Sequence, residues 1–507
     1  MPALHWTGKD AAVVAIRDVP YRPLVAVPDL SDGDSQTENL LIQGDNLDAL
    51  KSLLPVYAGR VKCIFIDPPY NTRSAFEHYD DNREHSIWLS MMYPRLELLR
   101  ELLSEDGSIW VTIDDNEGHY LKVIMDEVFG RRNFVANVFW QKTPTRENRT
   151  DFSAVHDHIL LFAKKRDLWK EVRNALPAST SQLERFTNPD NDFRGVWASL
   201  PAHAKAEKGR RQAQFFTVTT PSGRTVDPPA GRCWLYTEPR FNEMVEDRRI
   251  WFGIDGANVP RVKKFLSEVQ AGLVPSSFWS YQDVGTNAQA KLEIVSLFPG
   301  DTPFSTPKPE GLLNRIIHIA TNPNDLVLDS FLGSGTTAAV AHKMGRRWIG
   351  IELGEHAETH CAARLRKVIA GEQGGISKDV NWQGGGGFRF CRLGEPVFDG
   401  HGSIRPGVGF ADLARWVWYR ETRRPLAEAP ATPLLGVHQG TAYYLLFNGI
   451  LGDRRPAGGN VLTAVLLDCL APHDGPRVVF GEACRLHESK LAALDLRFRQ
   501  LPYQANA

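Results

Sequence analysis

Residues 61–66, Val-Lys-Cys-Ile-Phe-Ile, form an almost unbroken apolar run that stops at Asp67-Pro68-Pro69-Tyr70. A short apolar run closed by turn residues predicts a buried strand. The same pattern recurs at 40–42, 108–113, 326–329 and 347–352. Between these runs the apolar residues fall at helical spacing. Leu47, Leu50, Leu53 and Leu54 mark one helix, and 87–103 marks another despite Pro94. Further helices are predicted at 121–129, 311–320, 336–344 and 356–369. Strand alternating with helix predicts an α/β fold, a doubly wound Rossmann-like sheet.

The periodicity decays between about 140 and 290, so an insertion of different character interrupts the sheet. A glycine-rich stretch, 371–387, marks a second boundary. Beyond it, strands are predicted at 461–467 and 477–480 and helices at 412–419 and 442–448. The expected organisation is therefore an N-terminal arm (1–38), a first core half (39–139), the insertion (140–295), a second core half (296–372) and a C-terminal piece (373–507).

Length alone, 507 residues, predicts several domains. A hydrophobic fraction of 42% with 23% charged residues fits a globular chain with no membrane-length apolar stretch. The start, Met-Pro-Ala-Leu-His-Trp, lacks a basic-then-apolar signal segment, and a cytoplasmic location is expected. Six cysteines without CxxC spacing suggest neither a zinc site nor a disulfide framework. Net charge is −1, but its distribution is uneven. Residues 77–127 hold thirteen acids against four Lys or Arg, whereas 140–211 hold fourteen Lys or Arg against nine acids. A basic middle segment suits contact with DNA through one part of the chain only.

Two turns carry the candidate chemistry. Phe331-Leu332-Gly333-Ser334-Gly335-Thr336 follows the 326–329 run and offers bare backbone beside a helix start. Its spacing matches neither GxGxxG nor a phosphate loop. The next strand ends in Glu352, seventeen residues beyond Gly335, where an acid commonly binds ribose hydroxyls of an adenosine cofactor. At the other turn, the Asp67 carboxylate and the Pro68 carbonyl are acceptors for an exocyclic amine, and proline donates nothing. Tyr70 offers a face for a planar base, with stacking worth about 1–3 kcal/mol.

With these motifs the chain resembles the amino-group DNA methyltransferases of the "beta" arrangement, in which the Asp-Pro-Pro-Tyr turn precedes the Phe-x-Gly-x-Gly turn. It resembles more closely the modification subunits of type III restriction systems. Gly44-Asp45-Asn46-Leu47, Pro94-Arg95-Leu96, Ile113-Asp114-Asp115-Asn116-Glu117, Thr306-Pro307-Lys308-Pro309 and Gly350-Ile351-Glu352 carry the likeness further, as do Gly440-Thr441-Ala442-Tyr443-Tyr444 and Asn460-Val461-Leu462-Thr463. Pro307 stands where relatives usually carry glutamine.

The resemblance implies S-adenosylmethionine held by Asp45, Asp67, Lys308, Asp329, Phe331, Gly333, Gly335, Thr336 and Glu352. It implies catalysis at Asp67, Pro68, Pro69 and Tyr70 on an adenine flipped from duplex DNA, producing N6-methyladenine. The insertion becomes a target-recognition domain. A homodimer and a separate ATP-dependent restriction subunit are implied partners. N4-methylcytosine is the alternative product, and a specificity subunit working through its restriction partner is the alternative role. No Pro-Cys dipeptide exists for a C5-cytosine route.

His156-Asp157-His158 suggests a metal only weakly, and is expected to be turn and surface residues entering a strand; no metal is expected. Asp114 to Glu117 is expected to cap the following helix. In the middle segment Lys142, Arg146, Arg149, Lys164, Lys165, Arg166, Lys205, Lys208, Arg210 and Arg211 mix with Trp140, Phe152, Phe162, Trp169, Phe193 and Trp197. Many of these aromatics are expected to be core.

Overall fold

The computed structural model describes residues 3–501 other than 73–83, 149–150, 178–182, 207–210, 269–271, 301–303 and 305. Two compact units emerge, one made of 1–174 and 276–507, the other of 175–275.

Besides a short extra strand, Asp32–Gly33 on Gly387–Leu393, and a separate four-stranded sheet within 434–500, the larger unit is built around one main sheet. Its strands are β1 (Leu24–Ala26), β2 (Leu40–Gln43), β3 (Val61–Ile66), β4 (Leu103–Ile113), β5 (Phe134–Gln141), β6 (His156–Ala163), β7 (Phe278–Trp279), β8 (Leu326–Asp329), β9 (Arg347–Glu352) and β10 (Gly387–Leu393). Their spatial order is β1-β10-β2-β9-β8-β3-β4-β6-β5-β7. From β10 to β4 every neighbour is parallel; β6 runs antiparallel to both β4 and β5. The central strands are buried on both faces, which is why they read as continuous apolar runs rather than alternating ones.

Helices α1 (Asn46–Tyr57), α2 (His85–Leu102), α3 (Gly118–Met125), α4 (Glu310–Ala320), α5 (Thr336–Lys343), α6 (Ala363–Ile369) and α7 (Phe410–Thr422) supply the layers. Asp45 caps α1 by accepting from the amides of Leu47 and Asp48. The core beneath α1 and α2 gathers Leu50, Leu53, Leu54, Met92, Leu96 and Leu99 with Ile64, Ile66 and Leu328 of the sheet.

Strand order reverses between β8 and β3. The chain leaves β3 for β4 on one side and β8 for β9 on the other, with Val327 opposite Cys63 and Leu328 opposite Ile64. Loops leaving the carboxyl ends of these two strands open a crevice at the switch point.

Several expectations are corrected. The boundary at 140 falls inside β5, and β6 belongs to the main sheet, so the separate unit is 175–275 rather than 140–295. The boundary at 373 leaves β10 behind, yet β10 pairs in register with β2. The arm likewise contributes β1. Residues 441–445 form a strand, not a helix, because Ala442 and Tyr444 alternate into a ladder with Arg477–Gly481. The run 461–467 is a two-residue strand followed by helix Ala464–Cys469, whose start Thr463 caps by accepting from Leu466 N–H.

The smaller unit has its own core of Trp234, Phe241, Met244, Ile250, Phe252 and Val262. Short antiparallel strands, among them Trp197–Pro201 with Arg261–Phe265, frame it. There Lys263 is buried between Asp190 and Asp192, its ammonium 2.8 Å from Asp192. Among the described residues, no helix is long and apolar enough to cross a membrane.

Candidate active site

Asp67 ends β3. Its Oδ1 accepts from the Thr112 hydroxyl at 2.5 Å, and Thr112 stands on the adjacent strand β4. Its Oδ2 holds the ammonium of Lys308, which also lies 5.2 Å from the centre of the Tyr70 ring. Pro69 is fixed through its carbonyl, which accepts from the Trp88 indole at 2.8 Å. The Tyr70 hydroxyl donates to Asp157 at 3.3 Å, and Lys142 donates to the other Asp157 oxygen at 2.7 Å. Burial, with Asp157 beside it, pushes the Tyr70 phenol well above its usual pKa. The next residue, Asn71, sits at φ 60° in the left-handed region and donates to buried Glu117 at 2.6 Å. That bond anchors the turn from behind.

The second turn is braced from several directions. Asp329, fully enclosed at the end of β8, accepts from Phe331 N–H at 2.9 Å and from the Thr337 hydroxyl at 2.6 Å. Burial pushes its carboxyl up to about 7. Gly335 at φ 80° caps α5, and a Cβ there would come within 3.3 Å of the Cys361 backbone, so glycine is demanded twice. Asn46 donates to the Ser330 carbonyl at 2.7 Å and is itself held by Arg95 at 2.5 Å. Behind the loop, buried Arg364 reaches the Thr336 hydroxyl at 2.7 Å and Glu310 at 2.8 Å; Lys343 also holds Glu310. Burial raises the Glu310 carboxyl, but Arg364 and Lys343 outweigh it and hold the group below the usual carboxylate range.

Both turns open onto one cavity of about 440 Å³. Asp67, Pro68, Pro69, Tyr70, Lys308, Asp329, Phe331, Gly333 and Thr336 all line it, as do Asp114, Lys142 and Asp157 among others. Residues 241 apart in sequence thus meet in an ion pair inside a single pocket.

Three expected cofactor residues, Asp45, Gly335 and Glu352, are not among those lining the cavity. Asp45 is occupied as the α1 cap and lies 3.3 Å from Arg95, away from the cavity lining. Gly335 also lies outside the lining and acts through the turn. Glu352 is buried with both oxygens engaged: one accepts from Gly333 N–H at 2.5 Å, the other from Leu353 N–H at 2.9 Å and faces His356 at 2.9 Å. It shapes the glycine turn.

Among the weaker signals, the expected side-chain cap is not found: Glu117 takes the N-cap position of α3 with no capping hydrogen bond, and Asp114 accepts from Asn116 N–H at 2.9 Å within the preceding turn. Of the middle-segment residues, Trp140, Phe162, Trp169 and Trp197 are core, while Phe152 and Phe193 are 95% and 87% exposed. Arg149, Lys208 and Arg210 lie outside the described residues. His156-Asp157-His158 is not a surface turn, since it begins β6 with Asp157 and His158 buried. Sequence reading also missed Thr112, Glu310, Lys343 and Arg364, and gave Glu117 and Asp157 no part in this site. A polar or charged residue set in an otherwise apolar strand or helix was the one signal available for Thr112, Glu310, Lys343 and Arg364.

Residues 61–363, which contain both turns and everything between them, match the DNA methylase profile of N6/N4 methyltransferases. The chain belongs to this family. Among curated proteins, a Salmonella typhimurium protein, the StyLTI Mod subunit of a type III restriction-modification enzyme, is 34% identical over 65% of this chain and 53% of its own length. The probable HindVI Mod subunit of Haemophilus influenzae is 35% identical over 72% of this chain and 55% of its own. The EcoPI Mod subunit of Escherichia phage P1 is 30% identical over 67% and 61%. The aligned part is thus between half and two thirds of each of these relatives.

Proposed function

We propose that this methylase transfers a methyl group from S-adenosylmethionine to the N6 amino group of adenine in a short DNA sequence. We propose further that it is the modification and specificity subunit of a type III restriction-modification system. The observation that carries the reading is the shared cavity: the Asp-Pro-Pro-Tyr turn and the glycine turn face each other across one pocket. The names of its relatives support the type III assignment.

The pocket's donor set fits the cofactor. Phe331 and Leu332 give apolar wall, Gly333 and Ser334 give close backbone, and Asp329 and Asp67 give negative charge for a sulfonium. When bound, S-adenosylmethionine supplies an electrophilic methyl group. The chain does the rest by positioning. Asp67 Oδ2 and the Pro68 carbonyl accept from the two amino hydrogens, which turns the nitrogen lone pair out of the ring plane. Tyr70, its hydroxyl tied to Asp157, holds a flat face for the base. Since these groups line a cleft, the base leaves the duplex to reach them. So held, the amine nitrogen would take the methyl group in line, the carbon–sulfur electron pair staying on sulfur, and the extra proton of the methylated amine would leave to water.

The unit 175–275 and the exposed basic residues around it are read as the DNA-recognition part, and the piece after Leu393 as the part that supports dimerisation and a restriction partner. Duplex DNA should acquire label from methyl-labelled cofactor, with N6-methyladenine found by nucleoside mass spectrometry. Asp67→Ala should abolish transfer while duplex binding persists. Equal transfer by both proteins, or N4-methylcytosine as the product, overturns the reading.

A further inference from the structure

One cluster takes no part in the pocket. Along β6 successive side chains alternate, so Asp157 faces the cavity while His156 and His158 face away from it. Across the sheet, Ile113 pairs with His158, which brings Asp115, just past the end of β4, over the two histidines. His158 Nε2 lies 2.8 Å from Asp115 Oδ1. The ligand atoms of Asp115, His156 and His158 all lie within 4.8 Å of one another. The two imidazoles stand nearly perpendicular, 5.3 Å between centroids, both packed on Phe139. A third imidazole, His119, reaches within 3.8 Å of the same Asp115 oxygen.

We infer that Asp115, His156 and His158 form a binding site for a first-row divalent transition-metal ion, with His119 as a further ligand at its open side. Imidazole nitrogens with one carboxylate suit zinc, cobalt or nickel, and not magnesium or calcium, which take oxygen shells. In a tetrahedral zinc site bonds of about 2.0–2.1 Å set ligand atoms about 3.4 Å apart. Closing from the observed separations is within reach of the Asp115 and His119 side chains, which are 68% and 78% exposed. His158 is the fixed member, buried and gripped from behind by Asn137, whose amide lies 3.0 Å from Nδ1.

Asn137 decides whether Nε2 is available. With its amino group toward the ring, Nδ1 accepts, Nε2 carries the hydrogen and donates to Asp115. In that orientation the buried Asn137 Oδ1 has no donor, so nothing on that side holds the amide in place. With the amide turned over, Oδ1 accepts from Nδ1–H and the Nε2 lone pair faces the Asp115 carboxylate. Two lone pairs at that distance repel unless a proton or a metal ion stands between them, and the nearby His156 and His119 nitrogens supply the further ligands a metal ion needs. This is the outer-shell arrangement that metal-bound histidines adopt. The ion would tie the ends of β4 and β6 together behind the pocket and take no part in methyl transfer.

The test uses the full-length protein without an affinity tag, titrated with Co²⁺ and followed by the visible d–d absorption of nitrogen-ligated cobalt. One equivalent should bind. His156→Ala and Asp115→Ala, both at partly exposed positions, should weaken binding at least tenfold and lose the band, with cooperative thermal unfolding retained. Absence of cobalt binding by the wild type, or equal binding by wild type and both variants, overturns the site. The readout is independent of methylation, so its failure leaves the proposed activity standing.

Discussion

The ammonium of Lys308 sits on the carboxylate of Asp67 and over the ring of Tyr70, the position proposed above for the incoming base. With Thr112 on the other oxygen, Asp67 is satisfied on both sides before any substrate arrives. A base amine therefore exchanges for Lys308 at Oδ2, and the cation must find another anion nearby. The proposed cofactor brings one, its own carboxylate. Lys308→Met should then raise the KM for S-adenosylmethionine and lower kcat by tenfold or more, with duplex affinity unchanged. Steady-state methylation assays check this, and an unaltered KM would show that Lys308 serves Asp67 alone.

Glu117 predicts a loss felt at a distance. It is wholly buried, holds Asn71 at 2.6 Å and His85 at 2.7 Å, and through Asn71 fixes the turn that carries Tyr70. Glu117→Ala takes from buried Asn71 the acceptor of its side-chain amide, a loss of about 1–3 kcal/mol. Both thermal stability and methyl transfer should fall. Glu117→Gln still offers an acceptor to Asn71 and should recover most of the activity, which a purely volumetric role would not explain.

The two turns were legible in the sequence because each is a local word: an apolar strand, then residues whose backbone or acceptors have a specific use. The sheet was legible for the same reason, since buried parallel strands read as short apolar runs. What escaped was the bracing. Asp67 with Lys308, Asn46 with Ser330, and Arg364 with Glu310 join residues tens to hundreds apart, and no local pattern encodes such pairs. The same holds for the contacts of two expected site residues, Asp45 as a helix cap and Glu352 on the Gly333 amide. Residues 441–445 were misread because a short run holding both tyrosines and small apolar residues fits either period until its pairing partner is known.

Asp329 predicts a pH dependence. Its carboxyl titrates near 7 in the fold against 3.8 when unfolded, owing chiefly to burial. The raised value favours the neutral form, so its contribution to stability is full below 3.8 and is lost as pH rises through about 7. Over that window the group alone should cost about 1.4 kcal/mol per pH unit. Asp329→Asn should flatten this part of the stability profile in denaturant unfolding. A cationic sulfonium nearby favours the carboxylate, so cofactor affinity should rise with pH through about 7 in the wild type and not in the variant.

The C-terminal boundary can be tested by two truncations six residues apart. β10, Gly387–Leu393, is parallel to β2 with Phe390 opposite Leu41 and Cys391 opposite Ile42, and β1 pairs on its other edge. Phe390 is fully buried. A chain ending at Leu393 keeps this strand. It loses α7, whose Tyr419 hydroxyl donates to Glu101 on α2 at 2.6 Å, so it should melt lower yet cooperatively. A chain ending at Gly387 strips β2 of its neighbour, uncovers the buried face under Phe390 and leaves β1 without a partner. It should lose the cooperative transition in calorimetry. If the two truncations melt alike, β10 is no part of the core that carries the pocket, and the piece required for the methylase fold ends earlier than its sheet does.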